Sequence, residues 1–340
     1  MHRERRVVLL RDYPAVRALA RPAPSSFVVI ALLVAAQLAL AGFVASRPWW
    51  LLLLVAYGVG AALVVGLFSM IHEASHGLIF SRRGGNRLAA YLANVPILFP
   101  AAETFLEHHH THHGGLGAYE GDVAIPREWE VRWVGASPWR KAAWLALYPI
   151  IYALRVRGMK LGAGRRARAD RARRRSRRGW YVANALLQAA CVGLITQAWG
   201  ARALVYLLLS FLCGFGLHPL NAITLQEHLP ARVRQVTYSY YGLGNLVSFN
   251  SGYHYEHHDL PTVPWCRLPA LRRAAPELYA SLHSHPSWVG LWLRFLTDRE
   301  YTLRGQARLP WRRARRSWRS RLRGQAWSPG QVAGRGDEAA

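Results

Sequence analysis

The chain has 340 residues, 52% of them hydrophobic, and a formal net charge of +26. Apolar content and positive charge this high together exclude an ordinary soluble domain and an acidic, disordered one. Three cysteines, Cys191, Cys213 and Cys266, without metal or redox spacing exclude a disulfide framework.

Residues 1–26 form a basic leader carrying Arg3, Arg5, Arg6, Arg11, Arg17 and Arg21. Residues 27–45 carry no charge and predict a first membrane-spanning helix. Leader and apolar stretch both exceed the layout of a secretory signal, so the segment reads as an anchor. Residues 49–71, 180–199 and 203–225 predict three further spans, each near the ~20 residues that cross a ~30 Å hydrocarbon core. Residues 88–105 and 142–154 are apolar but interrupted by Pro96, Pro100 and Pro149, and are expected at the interface. Arg82, Arg83, Arg87 and the run RRARADRARRRSRR (Arg165–Arg178) lie between the two hairpins. The short hairpin turns hold only Arg47 and Arg202. The positive-inside rule then puts both termini and the central segment in the cytoplasm.

Topology and anionic headgroups account for the arginines. No nucleic-acid motif accompanies them, and no nucleic-acid partner is expected. Of 44 basic residues only Lys141 and Lys160 are lysine. That skew, with abundant alanine, predicts a GC-rich bacterial genome and hence a bacterial inner membrane. The fold expected is an all-α integral membrane protein, four transmembrane helices in two hairpins with a cytoplasmic histidine-box cap. It occupies residues 27–304, and residues 305–340 are an Arg-, Gly- and Ser-rich tail expected to be disordered.

Ten of the 15 histidines form three local groups. HEASH contains His72 and His76. FLEHHHTHHGGLG fills five of the six positions from His108 to His113. GYHYEHHDLP contains His254, His257 and His258. On a helix, residues i, i+3 and i+4 share a face. His72/His76, His109/His112/His113 and His254/His257/His258 fit that template, whereas His108 and His110 point elsewhere. All three groups fall in segments assigned to the cytoplasmic side. Neutral imidazole is a ligand for Fe, Cu, Ni and Zn, and coordination keeps a dense histidine cluster uncharged. With His228 as an isolated ninth candidate, the ligands exceed what one ion accepts and imply two metals. His2, His218, His283 and His285 read as structural. HEASH also matches the zinc-protease signature, with Glu73 as general base. That reading leaves six other histidines without a role. A third reading is a non-catalytic membrane metal binder.

The stretches IHEASHGLIF, ANVPILFP, HHTHHGGLGAYEGDVAIP, GFGLHPL, TYSYYGLGNLVSFNSGYHYEHHDLPTVP and LPALRRAAPELY resemble the membrane-bound fatty-acid desaturase family. The likeness is nearest to its sphingolipid delta-4 (dihydroceramide) desaturase branch. The resemblance implies an O2-dependent lipid desaturase with two iron ions, or a lipid C-hydroxylase on the same site. The implied ligands are His72, His76, His109, His112, His113, His228, His254, His257 and His258. No heme or ferredoxin domain is visible in the sequence. A separate electron donor is therefore implied, a ferredoxin or a cytochrome b5 with its reductase, beside a lipid substrate in the membrane. Glu107, Asp122, Glu227, Glu256 and Asp259 flank the boxes as partners for ligand N–H groups, with Asp122 and Asp259 foremost. The chain departs from the branch's pattern at Gly114 and Gly115, at Ile223 and at Tyr255.

Overall fold

Each long apolar stretch of the sequence is helical over most of its length. The computed structural model describes residues 2–114, 116, 122–158, 165–228, 235 and 237–304, with the backbone alone for 165–176 and 228. The chain begins with α1 (His2–Asp12), then α2 (Ser25–Ala45) and α3 (Trp49–Ser75), the last with a π-helical turn at Ala56–Gly60. Next come α4 (Arg83–Asn94), α5 (Ala101–Gly114), α6 (Glu128–Val134), α7 (Pro138–Ala146) and α8 (Tyr148–Gly158). The second half holds α9 (Arg165–Trp199), α10 (Ala201–Gly214), α11 (Ala222–His228), α12 (Gly244–Ser248) and α13 (His254–Asp259). It closes with α14 (Leu268–Ala274), α15 (Pro276–Ala280) and α16 (Trp288–Thr297). The fold is not wholly helical: β1 (Ser239–Tyr240) pairs in parallel with β2 (Ser284–His285).

Among the described residues, three helical stretches are long and apolar enough to cross a membrane: Ser25–Ala45, Trp49–Ser75 and Arg177–Trp199 within α9. The fourth expected span, 203–225, is two pieces. Helix α10 and the segment Pro219–Glu227 are bent by 47° across a short break. Pro219 has no N–H to continue the ladder. The groups freed by the break are taken up locally, as apolar surroundings require. The Leu220 N–H donates to His218 Nδ1 (3.1 Å), and Asn221 Nδ2 donates to the Gly216 carbonyl (2.9 Å). His218 therefore serves a freed amide. Residues 88–105 do not form a straight span either. They turn through a 3-10 segment at Val95–Ile97 and a positive-φ Leu98.

Helix α3 packs against α2, α4, α5 and α10. Lipid tails are as apolar as leucine, so close backbone approach, rather than hydrophobic burial, holds such helices together. Gly60 and Gly214 supply it. A Cβ on Gly60 would lie 2.1 Å from Ser210 Oγ, and one on Gly214 would lie 2.9 Å from the Ala61 carbonyl. Outside the spans, Val134, Trp144, Leu225, Trp288 and Phe295 join α6, α7, α11 and α16 in a second core. Leu9, Val16, Tyr255, Leu260, Leu271 and Tyr279 join α1, α13, α14 and α15 in a third. The third core holds α13, through Tyr255, where it meets the ends of α3 and α5. The tail from residue 305 and Gly115 lie outside the described residues.

Candidate metal centre

Helix α3 ends at Ser75, so His72 and His76 stand in its last turn and at its cap. Helix α5 carries His109, His112 and His113 in its last two turns, and α13 carries His254, His257 and His258. The three segments converge. One ring nitrogen from each of His72, His76, His109, His113 and His257 falls within a common 4.8 Å, and so do ring nitrogens of His112, His254 and His258. The predicted triples are thereby split between two groups. Neighbouring helical residues point about 100° apart, so His112 and His113 serve different groups, as do His257 and His258. The stacked rings of His113 and His258, 4.2 Å between centroids, join the two. His228 closes α11, and its side chain lies outside the described residues. His108 and His110 fall in neither group, as the spacing predicts.

The ring nitrogens of the larger group face one another at close range. His109 Nε2 lies 2.8 Å from His76 Nε2 and 3.0 Å from His113 Nε2, which is 3.1 Å from His257 Nε2. A neutral imidazole nitrogen either donates one hydrogen or offers one lone pair. Four nitrogens facing one another in a chain cannot all be satisfied that way, whereas one shared cation satisfies them together. Metal–nitrogen bonds of about 2.1 Å set at right angles put adjacent ligand nitrogens about 3 Å apart, close to the spacing found.

Electrostatics agrees. Burial first, then the neighbouring rings, holds His76, His109, His257 and His258 well below the ordinary histidine range, and His113 at about 2. These rings are neutral at pH 7 and their lone pairs are available. His112 is the exception. Burial opposes its charge, but the Asp122 carboxylate outweighs burial and raises it. His112 Nδ1–H donates to Asp122 Oδ1 at 2.8 Å, which leaves the Nε2 lone pair free to meet a cation and makes it more basic.

The other carboxylates divide. Glu227 lies 3.6 Å from His254 Nδ1. Glu107 accepts the Tyr181 hydroxyl. Glu256 accepts hydroxyls from Ser239 (2.7 Å) and Tyr241 (2.8 Å). Asp259, expected to orient a ligand histidine, instead binds His2 and Arg5 of α1. Glu73 accepts the Trp265 N–H at 3.0 Å and lies 3.8 Å from His72 Nδ1. This occupied carboxylate is not poised as the general base of a protease. Arg155, which carries no site signal in the sequence, and His2, which reads as structural there, both matter here. Arg155, almost fully buried, donates Nη1 to the Val123 and Ala124 carbonyls (3.1 and 3.2 Å) and pairs with the buried Glu130. It thus braces the loop that carries Asp122. His2 lies against the ring of His258, 5.4 Å between centroids. Neither contact leaves a local signature in the sequence.

A cavity of about 860 Å³ ends on His72, His109, His112, His254 and His257. Its walls are apolar, with Phe68 from α3, Phe211 and Leu212 from α10, and Phe215 directly after α10. Leu208, Ile150 and Leu154 line it and are solvent-exposed. Ile223 faces this cavity, whereas Tyr255 is buried in the third core beneath α1.

Residues 47–289 match the fatty acid desaturase family. The chain belongs to that family. It is 39% identical over 290 residues to the Rattus norvegicus protein named sphingolipid delta(4)-desaturase/C4-monooxygenase DES2, covering 85% of each chain. It is 33% identical over 299 residues to the Xenopus tropicalis sphingolipid delta(4)-desaturase DES1, covering 87% of this chain and 88% of the relative. With an Oryza sativa DES1-like relative the identity is 34%, over 87% of this chain and 86% of the relative. This desaturase is therefore an oxidoreductase, and the relatives named are animal and plant proteins.

Proposed function

We propose that this desaturase introduces a trans double bond into the saturated chain of a sphingoid base, ceramide or related acyl lipid, using O2 and two iron ions. The observation that carries the proposal is the convergence of eight histidines in two groups, five of which line an apolar cavity. The ligands proposed are His72, His76, His109, His113 and His257 for one ion and His112, His254 and His258 for the other. His228 is the ninth. Bound irons supply the oxidising power, with O2 as acceptor, that an unactivated methylene demands and that no side-chain base provides.

The chain's own residues do the rest. Buried neutral rings hold their lone pairs ready, and Asp122 fixes which nitrogen His112 presents. Phe68, Phe211 and Phe215 exclude water and align an alkyl chain along the cavity. Exposed lining residues such as Ile150 and Leu154 suit lateral entry of a membrane lipid. The lining adds Thr104, Thr224, Asn250 and Ser251, polar groups fit to meet a hydroxylated or amide headgroup. The arginine asymmetry supports a histidine end that faces the cytoplasm. A separate ferredoxin or cytochrome b5 supplies electrons there, and the basic surface suits an acidic donor.

C4 hydroxylation is a second outcome of the same site, favoured by the relatives whose names include C4-monooxygenase. Lipid mass spectrometry on membranes containing this desaturase and a reductase system, fed a saturated N-acyl sphinganine, separates them. A loss of two mass units at C4–C5, absent in His257→Ala, is expected. A gain of sixteen identifies hydroxylation, and no change in either direction refutes the substrate class.

A further inference from the structure

Helix α13 supplies three of the candidate ligands, yet it has six residues. A helix under two turns does not hold its own shape, so the direction of its histidines is set by whatever grips it. In its middle, Glu256 is held by the Ser239 and Tyr241 hydroxyls. At its end, directly after His258, the fully buried Asp259 is held by α1. His2 Nδ1 lies 2.6 Å from Asp259 Oδ1, and Arg5 Nε donates to Oδ2 at 2.9 Å.

Each of these two residues has further holds. Arg5 Nη2 donates to the Leu278 carbonyl at 2.9 Å, and the guanidinium lies 4.9 Å from the Tyr255 ring centre and 5.3 Å from that of Tyr279. The His2 ring lies 4.7 Å from that of Tyr255 and 5.4 Å from that of His258, with Nε2 3.1 Å from Thr237 Oγ1. Tyr255, a departure from the branch's pattern, is therefore part of the seat for α1. A planar guanidinium held on two sides fixes direction as well as distance.

We propose that Arg5 and His2 are positioning residues for the metal centre: by clamping Asp259 they fix α13 and hence the ring of His258 in the three-histidine group. This rests on the two-iron reading. The structure assigns α1 a role in the site although it lies more than 230 residues from α13 along the chain.

The test uses the purified full chain and reads iron per chain, Fe(II) affinity and the Mössbauer spectrum. The variants are Arg5→Ala, Arg5→Lys and Asp259→Asn, with Leu9→Ala as control. Leu9 is a fully buried residue of α1 in the same core. Arg5→Ala and Asp259→Asn are expected to fall from two irons to one, the weaker site losing about 10- to 100-fold in affinity. Arg5→Lys keeps the charge without the fork and is expected to lose part of it. Should Arg5→Ala not fold, Arg5→Lys carries the test. Leu9→Ala is expected to lower the thermal midpoint while keeping two irons and the wild-type spectrum. Folded Arg5 and Asp259 variants with two irons at wild-type affinity overturn the proposal, and so does an equal iron loss in Leu9→Ala. A wild type that takes up no second iron refutes the two-iron reading, and the clamp falls with it.

Discussion

Arg155→Met tests how the second histidine group is braced. Arg155 and Glu130 are 3% and 0% exposed. Arg155 Nε donates to Glu130 Oε1 at 2.8 Å, and its second nitrogen meets Oε2. The substitution leaves Glu130 a buried carboxylate with the Trp144 Nε1 donor (2.9 Å) and the Arg127 N–H (2.8 Å). Removing one partner of a buried pair costs about 3–5 kcal/mol, whereas replacing both by apolar groups is often neutral. Arg155→Met should therefore destabilise by about that amount, and Glu130→Leu/Arg155→Met should recover most of it. Iron binding should behave differently. The double variant still lacks the donor to the Val123 and Ala124 carbonyls, and the Ala124 N–H in turn donates to Asp122 Oδ1 at 2.9 Å. Its iron affinity should stay low while its thermal midpoint returns. The assay is a thermal scan in detergent beside an iron titration. A single variant within about 1 kcal/mol of wild type, or a double variant with normal iron affinity, refutes the reasoning.

Asp122→Asn should lower iron affinity by about 10- to 100-fold, because the His112 ring loses its orienting anion; equilibrium dialysis reads it. Gly60→Val places a Cβ 2.1 Å from Ser210 Oγ and forces α3 and α10 apart. A loss of about 1–3 kcal/mol is expected for such overpacking, read as a lower thermal midpoint. His285 gives a pH dependence. Burial, then His283 and Arg294, depress it from 6.5 to about 4. The unfolded chain binds that proton first, so the contribution of His285 is complete above pH 6.5 and is lost as pH falls toward 4. Between these limits the slope is up to about 1.4 kcal/mol per pH unit, and His285→Phe should flatten it.

The histidine centre was legible because helical spacing is a local property. His72/His76 and the two i, i+3, i+4 triples belong to segments whose periodicity alone puts their rings on one side. The division of each triple between two groups follows from the same geometry, once α3, α5 and α13 are brought together. What was hidden is long-range. Asp259 reads as an acid beside a histidine box, and only the docking of α1 gives it to His2 and Arg5. Arg155 reads as one more arginine in a basic chain, and only burial beside Glu130 makes it a brace. The fourth apolar stretch was read as one span because its composition is continuous. The break at Pro219 depends on His218 and Asn221 to satisfy the freed groups.

The proposed histidine centre holds two irons beside a lipid cavity. Mössbauer spectroscopy on the full chain loaded with 57Fe, with metal analysis of the same sample, tests it most directly. The account predicts two ferrous irons per chain in nitrogen-rich surroundings, with signals that shift when a saturated N-acyl sphinganine is added. One metal per chain, or two whose signals ignore the lipid, would contradict it.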